Sequence, residues 1–141
     1  MNFRHAEPAA SATTIEFPSE KLPPQVLVVD DTNEVRSFLT AALRRSGYRV
    51  LEAEDGLIAQ ILLMSEHPAL VISDLEMPVC DGWDLLTHCH TQYPGMPVLL
   101  ISGNSPGKRP EIERWAAGLL RKPFDVVQLR TEVQRLVRRA A

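Results

Sequence analysis

Three short apolar runs constrain the fold of this chain more than any other feature of its sequence. Each is about four residues long, and they lie at 26–29, 70–73 and 98–101. Runs of this length are too short for a buried helix and are typical of strands that a parallel sheet buries on both faces. Two further strands, with a weaker pattern, are predicted at 48–53 and 118–121.

Segments with helical periodicity follow the predicted strands. The predicted helices cover 33–46, 57–66, 83–93, 110–117 and 124–138. In the last of them, five apolar side chains are expected to face inward. These are Val127, Leu129, Val133, Leu136 and Val137. Because strand and helix alternate five times, right-handed connections give one α/β domain. It is a doubly wound, five-stranded parallel sheet with helices on both faces.

Chemically useful side chains follow four of the five predicted strands. Asp30 and Asp31 follow the first strand, Asp74 the third, Ser102 the fourth and Lys122 the fifth. Ligands of such sheets bind outside the carboxyl ends of the strands, so these groups are expected to converge. Taken singly, each aspartate is as often a helix cap or a turn former. Their joint placement is what predicts a functional site.

The predicted site has the groups that phosphoryl transfer requires. Three neighbouring carboxylates cannot all stay ionised unless a positive charge neutralises them. Mg²⁺ can do so, because it prefers a few carboxylate oxygens together with water. Asp74 would be the nucleophile, and the Ser102 hydroxyl could donate to a phosphoryl oxygen. Lys122 could pair with Asp74 or with an incoming anion.

Composition narrows the cellular setting. The formal net charge of −3 gives no bulk attraction to nucleic acid or anionic lipid. The two cysteines form no C-x-x-C pair and suit a reducing cytosol. No apolar run approaches the ~20 residues that span a bilayer. A cytoplasmic protein is therefore expected, with a flexible tail at 1–24, rich in Ala, Pro, Ser and Thr, and a single domain at 25–141.

Four segments carry a resemblance to a known family. They are VLVVDD (26–31), SDLEMPVCDGWDLL (73–86), LLISGN (99–104) and RKPF (121–124). Over roughly residues 25–139, the chain resembles the receiver domain of two-component response regulators. The D-x-x-x-P-x-x-D-G run that begins at Asp74 is the most specific of these features. The resemblance implies a flavodoxin-like fold with strand order 2-1-3-4-5.

The resemblance also implies roles for the predicted site residues. Asp74 matches the aspartate that is phosphorylated. Asp30 and Asp31 match the acidic pair that binds Mg²⁺, together with Asp74 and the backbone carbonyl of Glu76. Lys122 matches the lysine that contacts the phosphoryl group.

Ser102 matches the hydroxyl residue that turns toward the phosphate on activation. Members of this family take the phosphoryl group from a phosphohistidine on a sensor histidine kinase or a histidine phosphotransfer protein. They catalyse their own phosphorylation and slow dephosphorylation, so a phospho-acceptor is expected here rather than a conventional enzyme.

The chain is further expected to be a single-domain response regulator that signals through contacts with a downstream protein. Nucleic acid and membrane are not expected partners. The expected state is a monomer or a phosphorylation-dependent dimer.

Two departures from the family pattern concern the output surface. Leu119 occupies the position at which the family usually has a switch aromatic residue. The segment between Ser102 and Lys122 is about two residues short and contains Pro106 and Gly107, which are poor residues for a helix interior. The switch and the fourth helix are therefore expected to differ from the usual form.

Two alternative functions share some of these features. A haloacid-dehalogenase-type phosphatase also uses aspartate and Mg²⁺, but it needs a D-x-D pattern after its first strand. The sequence Asp30-Asp31-Thr32 does not supply that pattern. A receiver-like interaction scaffold that works without phosphorylation is favoured by Leu119 and by the segment near 103–110, which is predicted to be irregular. The complete acidic set opposes it.

Overall fold

The computed structural model describes residues 22–103 and 109–140. The predicted tail at 1–24 therefore lies outside the described residues except for 22–24. Most of the segment predicted to be irregular, 104–108, also lies outside them. The boundary predicted between the tail and the domain stays a prediction.

Five strands and five helices alternate along the described chain. The strands are β1 (Gln25–Val29), β2 (Arg49–Ala53), β3 (Leu70–Asp74), β4 (Val98–Ser102) and β5 (Gly118–Arg121). The helices are α1 (Asn33–Arg45), α2 (Gly56–Leu63), α3 (Gly82–Gln92), α4 (Pro110–Glu113) and α5 (Val126–Ala140). The predicted order of elements is confirmed.

The five strands form one parallel sheet in the order β2-β1-β3-β4-β5, as predicted. The central strand β3 pairs with β1 and with β4, with Val29 opposite Ser73 and Asp74 opposite Ile101. All carboxyl ends therefore lie at one edge of the sheet, where the predicted site residues follow their strands.

A hydrophobic core lies on each face of the sheet. Val26 and Val28 of β1 belong to the core that α1 and α5 cover. Leu27 and Val29 belong to the other core, which α2 and α3 cover. All four side chains are buried. The continuous apolar pattern of β1 therefore reflects burial on both faces.

Helices α5 and α4 have ends that differ from the prediction. Helix α5 begins at Val126 because Asp125 and Gln128 form a reciprocal cap. The Asp125 carboxylate accepts from Gln128 N at 2.8 Å, and the Gln128 side chain accepts from Asp125 N at 2.9 Å. The prediction that Val127 faces inward is wrong, since it lies in the first turn and is 67% exposed. Helix α4 ends at Glu113, four residues earlier than predicted.

None of the helices in the described part of the chain is both long enough and apolar enough to cross a membrane.

Candidate functional site

The candidate site lies at the carboxyl edge of the sheet. Asp74 is the last residue of β3 and Ser102 the last of β4, while Asp30 and Lys122 directly follow β1 and β5. The backbone N–H of Lys122 donates to the Ser102 carbonyl at 2.8 Å, which ties the two neighbouring strand ends together. The structure therefore brings the predicted side chains to one edge.

Three carboxylates meet there. One oxygen from each of Asp30, Asp31 and Asp74 lies within 4.8 Å of the others. Asp30 and Asp74 are buried, and Asp31 is exposed. The cluster is thus open to solvent on the side of Asp31 and enclosed by protein on the other side.

Local hydrogen bonds fix the orientation of Asp30. Its Oδ1 atom accepts from the backbone N–H of Thr32 at 2.8 Å. Arg36 donates from Nη1 to the Asp30 carbonyl at 2.6 Å and from Nε to Glu52 at 3.2 Å. Among the described residues, the buried Oδ2 atom of Asp30 has no hydrogen-bond partner. One oxygen of Asp30 is therefore held by the backbone while the other is left for a ligand.

The electrostatics of the cluster disfavour three ionised carboxylates. Burial raises the pKa of Asp74 to about 6, and the Asp30 carboxylate raises it as well. Lys122, whose Nζ lies 3.9 Å from Asp74 Oδ1, and a backbone hydrogen bond from Glu76 lower the same pKa. Burial also raises the pKa of Asp30. A bound cation would stabilise the ionised forms of both carboxylates.

The residues present fit a divalent metal. Three carboxylate oxygens at this spacing, including the buried and unpartnered Oδ2 atom of Asp30, are the hard oxygen donors that Mg²⁺ prefers. Asp30, Asp31 and Asp74 could hold the ion. Glu76 lies two residues beyond Asp74 with an exposed side chain. Its predicted role as a carbonyl ligand stays a prediction.

The start of α3 packs tightly against the backbone of Asp74 and Leu75. The backbone N–H of Gly82 donates to the Leu75 carbonyl at 3.0 Å. A Cβ atom on Gly82 would lie 2.5 Å from the Asp74 carbonyl oxygen and 2.7 Å from the Leu75 Cα atom. Only glycine allows this approach. Gly82 ends the D-x-x-x-P-x-x-D-G run, but neither Gly82 nor Arg36 was predicted to support the site. The position of Arg36 within α1 carries no signal of its contact with Asp30.

A family model describes the same residues. The model for the response regulator receiver domain matches residues 26–134. The chain belongs to this family. The segments quoted above as a resemblance therefore mark a true receiver domain.

Curated relatives agree with this assignment. The transcriptional regulatory protein PrrA of Mycobacterium tuberculosis is 35% identical over 118 residues, which are 82% of this chain and 51% of that protein. The transcriptional regulatory protein CusR of Escherichia coli is 32% identical over 119 residues, covering 83% of this chain and 52% of that protein. The chain thus corresponds to about half the length of these relatives.

Solved receiver structures share the fold. The response regulator TrrA from Thermotoga maritima, in complex with Mg²⁺ and BeF, has a TM-score of 0.75 at 27% identity, over 80% of this chain and 98% of that one. The receiver domain of the Francisella response regulator 1452 has a TM-score of 0.76 at 28% identity, over 84% and 99% of the two chains.

The two departures from the receiver pattern involve residues that pack against the same core. Leu119 in β5 is partly buried and packs against the core under α2 and α3. Helix α4 has four residues and buries none of them. Trp115, just beyond it, stacks on His90 of α3 with ring centroids 4.0 Å apart. Within residues 109–117, this side of the domain therefore has packed loop residues after a helix of only four residues.

Proposed function

We propose that this receiver domain accepts a phosphoryl group on Asp74 in a Mg²⁺-dependent reaction. The observation that supports this most is the juxtaposition of Asp74 with two further carboxylates and with Lys122 Nζ at 3.9 Å. A nucleophilic oxygen, a metal-binding set and a cation for the phosphoryl oxygens are the parts that phosphoryl transfer to a carboxylate needs.

In the proposed step, an Asp74 carboxylate oxygen attacks phosphorus. The new O–P bond forms as the P–N bond of a donor phosphohistidine breaks, and the imidazole leaves with the bonding electron pair. Mg²⁺, held by Asp30, Asp31, Asp74 and the Glu76 carbonyl, would offset the charge of the phosphoryl oxygens. Lys122 binds one of these oxygens, and the Ser102 hydroxyl donates to another. Water later attacks phosphorus, the bond between phosphorus and the Asp74 oxygen breaks, and the Asp74 carboxylate is regenerated as inorganic phosphate leaves.

We further propose that the donor is a sensor histidine kinase or a histidine phosphotransfer protein, and that it docks beside Lys122. Phe38 of α1 and Phe124 of the loop after β5 have ring centroids 6.3 Å apart, and Phe38 is exposed. Val126 and Val127 add exposed apolar surface at the start of α5. Such a surface next to the site suits a protein donor rather than a small molecule alone.

We propose that this reaction takes place in the cytoplasm and that the signal leaves through contacts with a downstream protein. The proposed state of the chain is a monomer or a phosphorylation-dependent dimer. Both cysteines, Cys80 and Cys89, are buried and free, which suits a reducing compartment. Leu119, in place of the switch aromatic, favours a second candidate. This is a receiver-shaped scaffold that binds partners without being phosphorylated.

Phosphorylation by acetyl phosphate separates the two candidates. Wild type, Asp74→Asn and the control Asp84→Asn are incubated with acetyl phosphate, with Mg²⁺ or with EDTA, and their intact masses are measured. Asp84 is an exposed carboxylate in the first turn of α3 and lies outside the cluster. We expect wild type and Asp84→Asn to gain one phosphoryl group in Mg²⁺ only, and Asp74→Asn to gain none. Equal modification of all three proteins would contradict Asp74 as the acceptor, and no modification of any of them would favour the scaffold.

A further inference from the structure

Helix α2 exposes an apolar stripe that the fold does not use. Leu57, Ile61 and Met64 are 49%, 59% and 77% exposed. Their spacing of four and three residues places them on one side of the helix and its last turn. The opposite side is buried, and no residue of α2 is charged. A helix that is apolar on all sides is normally enclosed by protein, so this stripe is an unusual surface.

Val79 extends this apolar surface at the carboxyl edge of the sheet. It is 80% exposed and has a φ of 70°, the left-handed conformation that a β-branched residue rarely adopts. The next residue, Cys80, packs on the first turn of α2. A Cβ atom on Gly56 would lie 2.5 Å from Cys80 Sγ, and Gln60 Nε2 lies 3.4 Å from the same sulfur. Val79 is therefore held beside the start of the stripe.

Three carboxylates lie near Cys80, at this end of the stripe. Asp81 directly follows Cys80, and its carboxylate accepts from the backbone N–H of Asp84. Asp55 directly precedes Gly56, on which Cys80 packs. Burial raises the pKa of the Cys80 thiol, and the charges of these three carboxylates raise it as well. Asp55 and Asp81 cap α2 and α3 through one oxygen each, at 2.8 Å and 2.9 Å. Asp84 is exposed. The apolar stripe thus has a negatively charged rim.

We propose that the α2 face, defined by Leu57, Ile61, Met64 and Val79 with its acidic rim, binds an amphipathic helix of a partner protein that carries Lys or Arg beside its apolar side. An i, i+4, i+7 stripe matches the apolar side of a second helix. The acidic rim selects a basic partner and disfavours another copy of this chain. Antiparallel pairing of two α2 faces would bring the acidic end of one against Glu66 of the other.

The α2 face is separate from the surface around Phe38 and Val127 that is proposed to bind the phosphoryl donor. Helix α2 covers one face of the sheet, whereas α1 and α5 cover the other. A partner on the α2 face would leave Phe38 and Val127 accessible. The α2 face is nevertheless close to the acceptor, because the loop that carries Val79 leads into Gly82 at the start of α3, which packs against the Asp74 carbonyl.

A synthetic peptide tests the proposal on the full chain. The probe is a helical peptide of leucine and lysine, with leucines at i, i+3, i+4 and i+7, and its binding is measured by fluorescence anisotropy in Mg²⁺. We expect Ile61→Gln and Asp84→Asn each to weaken binding about fivefold or more. The matched controls are Val127→Gln, an exposed valine on α5, and Glu34→Gln, an exposed acid in the first turn of α1. Both should bind like wild type.

Several results would overturn the proposal. The first is that wild type does not bind the peptide at concentrations up to about 1 mM. The second is that a leucine–glutamate peptide binds as tightly as the leucine–lysine peptide. The third is that Ile61→Gln and Val127→Gln weaken peptide binding equally.

Sedimentation velocity tests for another occupant of the α2 face. If wild type is a dimer that Ile61→Gln dissociates, a second copy of the chain is the occupant. If Ile61→Gln shifts NMR signals of residues 1–21, the chain's own N-terminal segment is the occupant instead. If peptide binding changes the NMR chemical shifts of the protein only in α2 and residues 79–84, the proposal is supported.

Discussion

The side-chain nitrogen of Lys122 lies 3.9 Å from Oδ1 of Asp74, which also faces the carboxylates of Asp30 and Asp31. Asp74 therefore has one cation and two anions as near neighbours, inside a mostly buried environment. Lys122 lowers the pKa of Asp74, but burial and Asp30 outweigh it and leave the pKa at about 6. The ionised acceptor is thus held in the native state against an electrostatic cost.

Because of this cost, the difference in stability between wild type and Asp74→Asn should depend on pH. The native pKa of Asp74, about 6, lies above its ordinary value of 3.8, so between these pH values the native state binds more protons than the unfolded chain. The free energy of unfolding therefore falls as pH rises through this window. At neutral pH without metal, ionised Asp74 costs about 3 kcal/mol. Asp74→Asn should then resist urea better than wild type, and its advantage should vanish near pH 4.

Two controls accompany this comparison. Asp84→Asn, which changes an exposed carboxylate, should follow the wild-type pH profile, and saturating Mg²⁺ should narrow the gap between wild type and Asp74→Asn. A gap that stays constant from pH 4 to pH 7 would show that burial of charge at Asp74 is not its cause.

Gly82→Ala should destabilise the domain. The added methyl group would lie 2.5 Å from the Asp74 carbonyl oxygen and 2.7 Å from the Leu75 Cα atom, and backbone atoms cannot rotate away. We expect a loss of about 2 kcal/mol in urea unfolding. Gly103→Ala is the control, because its nearest neighbour would be the flexible side chain of Lys122 at 3.6 Å. Similar losses for both variants would argue against the close packing at Gly82.

Val79→Gly should stabilise the domain although it removes a side chain. Its left-handed φ of 70° strains a β-branched residue, and the exposed side chain contributes little packing. After the greater unfolded-state entropy of glycine is subtracted, we expect a gain of about 1 kcal/mol in urea unfolding. Val127→Gly, at an exposed helical position, should instead lose stability. A loss at residue 79 would mean that Val79 makes contacts that outweigh its strain.

The sheet and the positions of the site residues could be predicted because both depend on short-range patterns. The apolar runs identify strands that are buried on both faces, and the carboxyl ends of parallel strands share an edge. Asp30, Asp74 and Ser102 are therefore close in space although they are distant in sequence. The strand order rested on the family resemblance, because local pattern alone does not fix which strands are neighbours.

What the sequence could not supply depends on tertiary contacts. Arg36 reaches the Asp30 carbonyl because α1 leaves β1 at a particular angle, and Gly82 is needed because two backbones approach each other. Val127 was misplaced because the cap formed by Asp125 and Gln128 sets where α5 begins and which residues occupy its exposed first turn. Periodicity predicts that a helix has an apolar side, but the cap and the packing decide where that side faces.

Phosphorylation of Asp74 is tested most directly by locating the phosphoryl group in the chain. Wild-type protein phosphorylated with acetyl phosphate and Mg²⁺ is treated with borohydride, which reduces an acyl phosphate to an alcohol and so marks the modified residue. The digest is then sequenced by mass spectrometry. We expect homoserine at position 74 and unmodified aspartate at positions 30, 31 and 84. Reduction at any other carboxylate, or at none in protein whose mass shows phosphorylation, would contradict it.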